Sequence, residues 1–138
     1  MGKRYILDTD TLIYFLKHNL NVVNKFATID VDDIATTTIN YTELFYEAYN
    51  LTRKEENLSR IKSFLDDMEV LGFDKRSDEV FARLKAELKQ TGKMITDTDL
   101  MIASICIANH FTLVTHNTKH FQRIPELNLE NWSIHEQT

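Results

Sequence analysis

The chain has 138 residues, of which 43% are apolar and 27% charged, and a formal net charge of −5. This length and composition exclude a disordered chain and fit one globular domain, so we expect a single domain over residues 1–138. The one cysteine, Cys106, excludes an intramolecular disulfide and a site built from several thiolates, and its apolar neighbours predict a place in the core.

Strand-like and helix-like segments alternate along the chain. Strands are predicted at residues 4–8, 34–36, 70–73 and 112–115, with a last extended piece near 132–135. Helices are predicted over 11–17, 22–28, through Glu43 to Leu51, over 55–67 and 78–90, the last ending at Gly92, and a buried helix begins at Thr98. This alternation predicts a central parallel sheet with helices on both faces, a three-layer α/β/α fold.

The apolar runs are short. None approaches the roughly 18 to 20 residues of a membrane span, and Asp8 interrupts the first run before it reaches the length of a signal peptide. We therefore expect a cytoplasmic protein without a membrane partner.

Three carboxylates occupy positions that this fold would bring together. Asp8 follows the first strand, and ligands in open α/β sheets bind beyond the carboxyl ends of the strands. Asp99 stands at the start of the buried helix, and Glu43 lies beside an apolar helical stripe. Oxygen ligands of this kind favour Mg²⁺ or Mn²⁺. Without a cation their mutual repulsion predicts a raised pKa for at least one of them.

Four short blocks carry a resemblance to a known family. They are residues 5–10 (YILDTD), 37–44 (TTINYTEL), 99–103 (DLMIA) and 113–121 (LVTHNTKHF). Each block is weak by itself, but their order and spacing resemble the PIN-domain ribonucleases, and within them the VapC-type toxins of toxin–antitoxin pairs. The resemblance covers nearly the whole chain.

The resemblance implies a metal-dependent endoribonuclease that uses Mg²⁺ or Mn²⁺. Asp8 and Asp99 would bind the cation directly, and Glu43 would complete the shell through water or position the nucleophile. Further possible supporting or RNA-contacting residues are Asp97, Thr115, Asn117 and His120. The implied partners are an RNA such as a transfer RNA or another structured RNA, a cognate antitoxin, and a second copy in a homodimer. An aromatic cluster of Phe45, Tyr46 and Tyr49 is a candidate antitoxin contact.

Several positions depart from the family pattern or have a simpler interpretation. His120 stands where the family commonly carries an acid, and Asp10 where it usually shows Asn. Asp10 is expected to hydrogen-bond the loop that holds Asp8, and Thr9 to have a local role in that loop. Asp97 has no match in the pattern, so helix capping or solvent exposure is favoured for it. Asp99 also fits a capping box with Thr96.

Two functions of other classes remain open at this point. The sequence Asp8-Thr9-Asp10 after a strand is also typical of haloacid dehalogenase-like phosphatases, but Leu12 stands where that pattern wants Thr or Val. A non-catalytic binding module with an acidic pocket is the other alternative, and metal titration would separate it from an enzyme.

Overall fold

A computed structural model describes residues 2–134 of the chain. Its sheet has five parallel strands in the order β3-β2-β1-β4-β5. The strands are β1 Tyr5–Leu7, β2 Ile34–Thr37, β3 Glu69–Leu71, β4 Thr112–Val114 and β5 Leu129–Glu130. The helices are α1 Thr9–Leu16, α2 Leu20–Ala27, α3 Thr38–Tyr49, α4 Lys54–Asp66, α5 Lys75–Thr91, α6 Asp97–Asn109 and α7 Thr118–Phe121. A 3-10 turn, Val31–Asp33, precedes β2.

The strand order creates a crevice next to β1. After β1 the chain adds β2 and β3 on one side, and then crosses over to add β4 and β5 on the other. β1 pairs with β4 in parallel, with Leu7 opposite Val114, so the two strands end side by side. A reversal of strand order of this kind is where open α/β sheets bind ligands.

The predicted three-layer architecture is confirmed by the distribution of the core. Ile6 and Leu113 face one side of the sheet and pack with α5 and α6. Leu7 and Val114 face the other side and pack with α1 to α4. Neighbouring residues in a strand point to opposite faces, so two adjacent apolar residues in each strand supply both cores. Cys106, expected in the core, is fully buried in α6.

Helix starts differ from the prediction where a polar side chain caps the helix. α1 begins two residues early because the Asp8 carboxylate accepts a hydrogen bond from the Thr9 N–H. α5 begins three residues early because Asp74 accepts one from the Ser77 N–H. At the other end of α5, Gly92 has a φ of 70° and caps the helix, as its sequence position predicts.

The end of the chain was predicted less well. The last strand, β5, lies at Leu129–Glu130. The prediction of an extended piece near 132–135 is therefore wrong for residues 132–134, and His135 lies outside the described residues. Trp132 is instead buried against the Tyr5 ring, with the ring centroids 5.3 Å apart. The sequence analysis also missed α7, because four residues are too few to show a helical period. Over residues 2–134 no helix has both the length and the apolar character to cross a membrane.

Candidate metal centre

Asp8 lies at the carboxyl end of β1, where the chain enters α1. Its backbone N–H continues the sheet by donating to the Val114 carbonyl at 2.9 Å, which fixes Asp8 beside the end of β4. The side chain is only 8% exposed. One carboxylate oxygen, Oδ1, accepts from the Thr9 N–H at 2.9 Å and from Asn40 Nδ2 at 2.8 Å. The other, Oδ2, accepts from the Thr115 hydroxyl at 2.8 Å.

Glu43 reaches the same edge of the sheet from the second turn of α3. Its Oε1 accepts a hydrogen bond of 2.8 Å from the hydroxyl of Thr9, the residue next to Asp8. The sequence analysis expected Thr9 to act within its own loop, whereas its side chain connects α1 to α3. Glu43 and Asp8 are therefore linked through one residue.

Asp99 is the third residue of α6. Its backbone N–H donates to the hydroxyl of Thr96 at 3.3 Å, so Thr96 caps the helix as predicted. The Asp99 carboxylate does not complete the reciprocal capping box within the described residues: its Oδ2 contacts Nε2 of His120 in α7 at 3.0 Å. Both side chains are partly buried, with 27% and 22% of their surface exposed.

Burial and mutual repulsion disfavour charge on two of these carboxylates. Burial, followed by the charge of Asp10 and then that of Asp99, raises the pKa of Asp8 to about 7, although the hydrogen bonds from Thr115 and Thr9 oppose the shift. Burial, then Asp99 and Asp10, raises the pKa of Glu43, against the hydrogen bond from Thr9. The expected rise in pKa is confirmed, but burial is its larger cause.

The loop after β4 lies against the same carboxylates. Asp10 Oδ2 accepts from the backbone N–H of His116 at 3.1 Å, and its Oδ1 accepts from the Thr11 hydroxyl at 3.2 Å, so Asp10 connects this loop to the start of α1 beside Asp8. The Thr115 hydroxyl, which donates to Asp8, accepts from the N–H of Asn117 at 3.1 Å. Asp97 points elsewhere: it pairs with Lys85 on α5 at 3.1 Å and is largely exposed.

The sequence analysis did not single out Asn40, which is fully buried. Asn40, Leu44 and Ala48 are the buried residues of α3 and follow one another at intervals of four. A polar residue at the head of an otherwise apolar stripe is a signal that the sequence contained.

The donor set fits a hard divalent cation. Asp8, Glu43 and Asp99 offer only carboxylate oxygens, and each is close enough to another to affect its charge. Within residues 2–134 no three Asp, Glu, His or Cys side chains converge tightly enough to enclose an ion by themselves. Mg²⁺ does not need such a cage, because it usually keeps several waters and takes one or two carboxylates. Asp8 and Asp99 would hold it, with Glu43 nearby.

Comparison with known proteins identifies the family. Residues 5–127 match the PIN domain family. Ribonuclease VapC2 of Rickettsia felis is 38% identical over 130 residues, which cover 93% of this chain and 97% of that protein. The tRNA(fMet)-specific endonuclease VapC of Salmonella typhimurium is 28% identical over 94% of this chain and 98% of its own.

Solved structures give the same result. The crystal structure of VapBC2 from Rickettsia felis, bound to a DNA fragment from the promoter, contains a chain that superimposes with a TM-score of 0.85 at 37% identity, over 93% of this chain and 98% of that one. A chain of DNA-bound VapBC from Salmonella typhimurium superimposes with a TM-score of 0.87 at 28% identity. The match covers 95% of this chain and 99% of that one. By its sequence blocks, its fold and these relatives, the chain belongs to the PIN-domain family and, within it, to the VapC proteins.

Proposed function

We propose that this protein is a metal-dependent endoribonuclease and the toxin of a toxin–antitoxin pair. The observation that carries the proposal is that Asp8, Glu43 and Asp99 come from three separate elements and lie close enough together for Asp99 to raise the pKa of both other carboxylates. The VapC relatives, whose names state ribonuclease activity, support the reaction class. The match to the PIN family removes the phosphatase alternative.

Each residue has a role that follows from its contacts. A bound divalent cation would supply positive charge at the phosphate and lower the pKa of a coordinated water. Asp8 Oδ2 and the Asp99 carboxylate are the groups that would hold the cation. Among residues 2–134 no hydrogen bond occupies Glu43 Oε2, since Thr9 donates to Oε1, and the raised pKa of Glu43 makes it a better acceptor for a proton of the attacking water.

The proposed partners are an RNA, an antitoxin and a second copy of the chain. Structured RNA is the proposed substrate, with transfer RNA the first candidate because the Salmonella relative is named for one. The VapBC complexes of the relatives support an antitoxin partner. Tyr46 and Tyr49 on α3 are 66% and 61% exposed and are available for such a contact, while the Phe45 ring packs against Tyr41 with the centroids 4.7 Å apart. The homodimer and the cytoplasmic location remain predictions.

Cleavage of mixed transfer RNA by the protein, freed of antitoxin, tests the proposal. We expect cleavage in Mg²⁺ or Mn²⁺, its loss on chelation and its return when metal is added back. Asp8→Asn should retain less than about a tenth of the wild-type rate, because a lost metal ligand costs several kcal/mol of transition-state stabilisation.

The matched control is Asp74→Asn. Asp74 caps α5 as Asp8 caps α1, and Asn is an equally good cap, so both variants lose one charge and keep their helix start. Asp74→Asn should cleave like the wild type. Cleavage that persists in excess chelator would refute the metal mechanism, and so would cleavage by an Asp8→Asn preparation, purified in parallel, at the wild-type rate. No cleavage with any metal would favour the non-catalytic binding module.

A further inference from the structure

Asn40 connects two of the three carboxylates from a fully buried position at the start of α3. Its Nδ2 donates to Asp8 Oδ1 at 2.8 Å and to the Thr9 hydroxyl at 3.0 Å. Its Oδ1 accepts from the Thr37 hydroxyl at 2.7 Å. All the hydrogen-bonding atoms of this side chain are therefore used, which is the usual condition for a buried amide.

The direction of each hydrogen bond in this group is fixed by chemistry. An ionised Asp8 only accepts, so the NH₂ group of Asn40 must face it. The second N–H of that group donates to Thr9, whose own hydrogen is then free to point to Glu43 Oε1, 2.8 Å away. One amide thus directs a donor to Asp8 itself and, through the Thr9 hydroxyl, another to Glu43.

The contacts of Asp8 also determine which lone pair remains for a cation. A carboxylate offers about four acceptor positions. The Thr9 N–H and Asn40 occupy both positions on Oδ1, whereas on Oδ2 the Thr115 hydroxyl occupies one. The remaining position is on Oδ2, so Asp8 is arranged to bind through that single oxygen.

We propose that Asn40 is a positioning residue of the metal centre, which holds Asp8 so that Oδ2 faces the cation and orients Glu43 through Thr9. This inference depends on the proposed function, because it assumes that a divalent cation binds Asp8. Asn40 itself touches neither the cation nor the RNA. Outer partners of metal ligands typically affect metal affinity tenfold to a hundredfold.

The test measures Mn²⁺ binding to the free protein by electron paramagnetic resonance, without RNA, alongside cleavage. Asn40→Ala removes both donors, and Asn40→Leu removes them while nearly preserving the volume. We expect both to raise the Mn²⁺ dissociation constant roughly tenfold to a hundredfold, with a smaller loss of cleavage at saturating metal. The control is Thr36→Val, which removes a buried hydrogen bond that goes to the Leu7 carbonyl and not to a carboxylate. It should change the dissociation constant less than about twofold.

A double-mutant cycle with Thr9→Val separates positioning from packing. If Asn40 acts on Glu43 through Thr9, Thr9→Val costs less affinity in the Asn40→Ala background than in the wild type. Wild-type-like Mn²⁺ affinity in a folded Asn40→Leu protein would overturn the inference and leave the proposed function standing. The inference would also be overturned if Thr36→Val lost as much Mn²⁺ affinity as Asn40→Leu. Additive effects of Thr9→Val and Asn40→Ala on that affinity would overturn it as well. A wild-type protein that binds no Mn²⁺ would overturn the proposed function, and this inference with it.

Discussion

Asp8 is placed where its charge is useful to a cation and costly to the fold. Its carboxylate is nearly enclosed, and Asp10 and Asp99 add negative potential to the penalty of burial. The hydrogen bonds from Thr115 and Thr9 compensate only in part, since the pKa of Asp8 still rises to about 7. The site therefore reduces the stability of the metal-free protein, as residues selected for function often do.

This conflict predicts the pH dependence of the metal-free protein. The unfolded chain releases the Asp8 proton near pH 4, but the folded chain holds it until about pH 7. Between these values the folded state binds more protons, so the contribution of Asp8 to stability falls as pH rises. Asp8→Asn cannot titrate. The melting temperature of Asp8→Asn minus that of the wild type should therefore increase from pH 5 to pH 7 and level off above pH 7. The corresponding change in the free energy of unfolding is at most a few kcal/mol.

Thermal melts in chelator between pH 5 and 8 measure this difference. Asp74→Asn is again the control: hydrogen bonds from Ser77 lower the pKa of Asp74, so its contribution is constant in this range and its difference curve should be flat. If the difference in melting temperature between the wild type and Asp8→Asn is the same at every pH, Asp8 is not held protonated in the folded protein.

His120 takes the place of the usual family acid, and its role remains a prediction. Its Nε2 lies 3.0 Å from Asp99 Oδ2, so it is positioned to orient that carboxylate. His120→Ala should slow cleavage roughly tenfold to a hundredfold. His120→Asp should preserve activity and tighten metal binding, because a carboxylate suits Mg²⁺ better than an imidazole. Cleavage rates against Mg²⁺ and Mn²⁺ concentration check this, and overlapping curves for the three proteins would remove His120 from the site.

The sequence predicted the charged members of the site better than the neutral ones. Asp8, Glu43 and Asp99 were recognisable because each stands in a sequence block that resembles a known family pattern. Asn40 and the bridging role of Thr9 were missed, because their partners are 31 to 34 residues away and only folding reveals the pairing. A raised pKa for at least one of the carboxylates could be predicted, but not that Asp8 would be raised to about 7 or that burial would be the main cause.

At the level of elements, three helices begin at the candidate site. Asp8 caps α1, Thr37 caps α3 and Thr96 caps α6, each by accepting a backbone N–H. Helix N-termini carry a partial positive charge, which moderates the repulsion among the carboxylates. Sequence patterns located the starts of α1, α5 and α6 to within three residues, and capping side chains explain the differences at α1 and α5.

The cap of α6 provides a test of this arrangement. Thr96→Ala removes the acceptor for the Asp99 N–H and should cost about 1 kcal/mol of stability. Because the lost contact holds the residue that carries a proposed ligand, cleavage should fall more than the stability loss explains. Asn19→Ala is the matched control, since it removes the cap of α2 at the far end of α1 and should cost a similar amount with full activity. Urea melts and cleavage rates compare the two variants. Equal cleavage rates for Thr96→Ala and Asn19→Ala would show that the cap of α6 has no role in the candidate site.

At the level of the whole molecule, the strand order explains how distant residues share one site. Asp8 and Thr115 are far apart in sequence, but β1 and β4 are neighbours and end together, so the Thr115 hydroxyl reaches the Asp8 carboxylate. The alternation of strands and helices was sufficient to predict a parallel, three-layer fold. It did not specify that β4 would pair with β1, since that depends on long-range packing of two apolar faces.

Metal should therefore stabilise the entire fold. A cation that binds only the native state adds about 2.7 kcal/mol at a hundred times its dissociation constant, which corresponds to roughly 10 °C for a domain of this size. The increase in melting temperature on metal binding should be largest near pH 8, because there the Asp8 carboxylate is ionised without a cation to compensate for its burial. Melting curves with Mg²⁺ or Mn²⁺, against NaCl of equal ionic strength, measure it. Asp74→Asn should be stabilised like the wild type and Asp8→Asn hardly at all, whereas equal stabilisation of all three would place the cation elsewhere on the molecule.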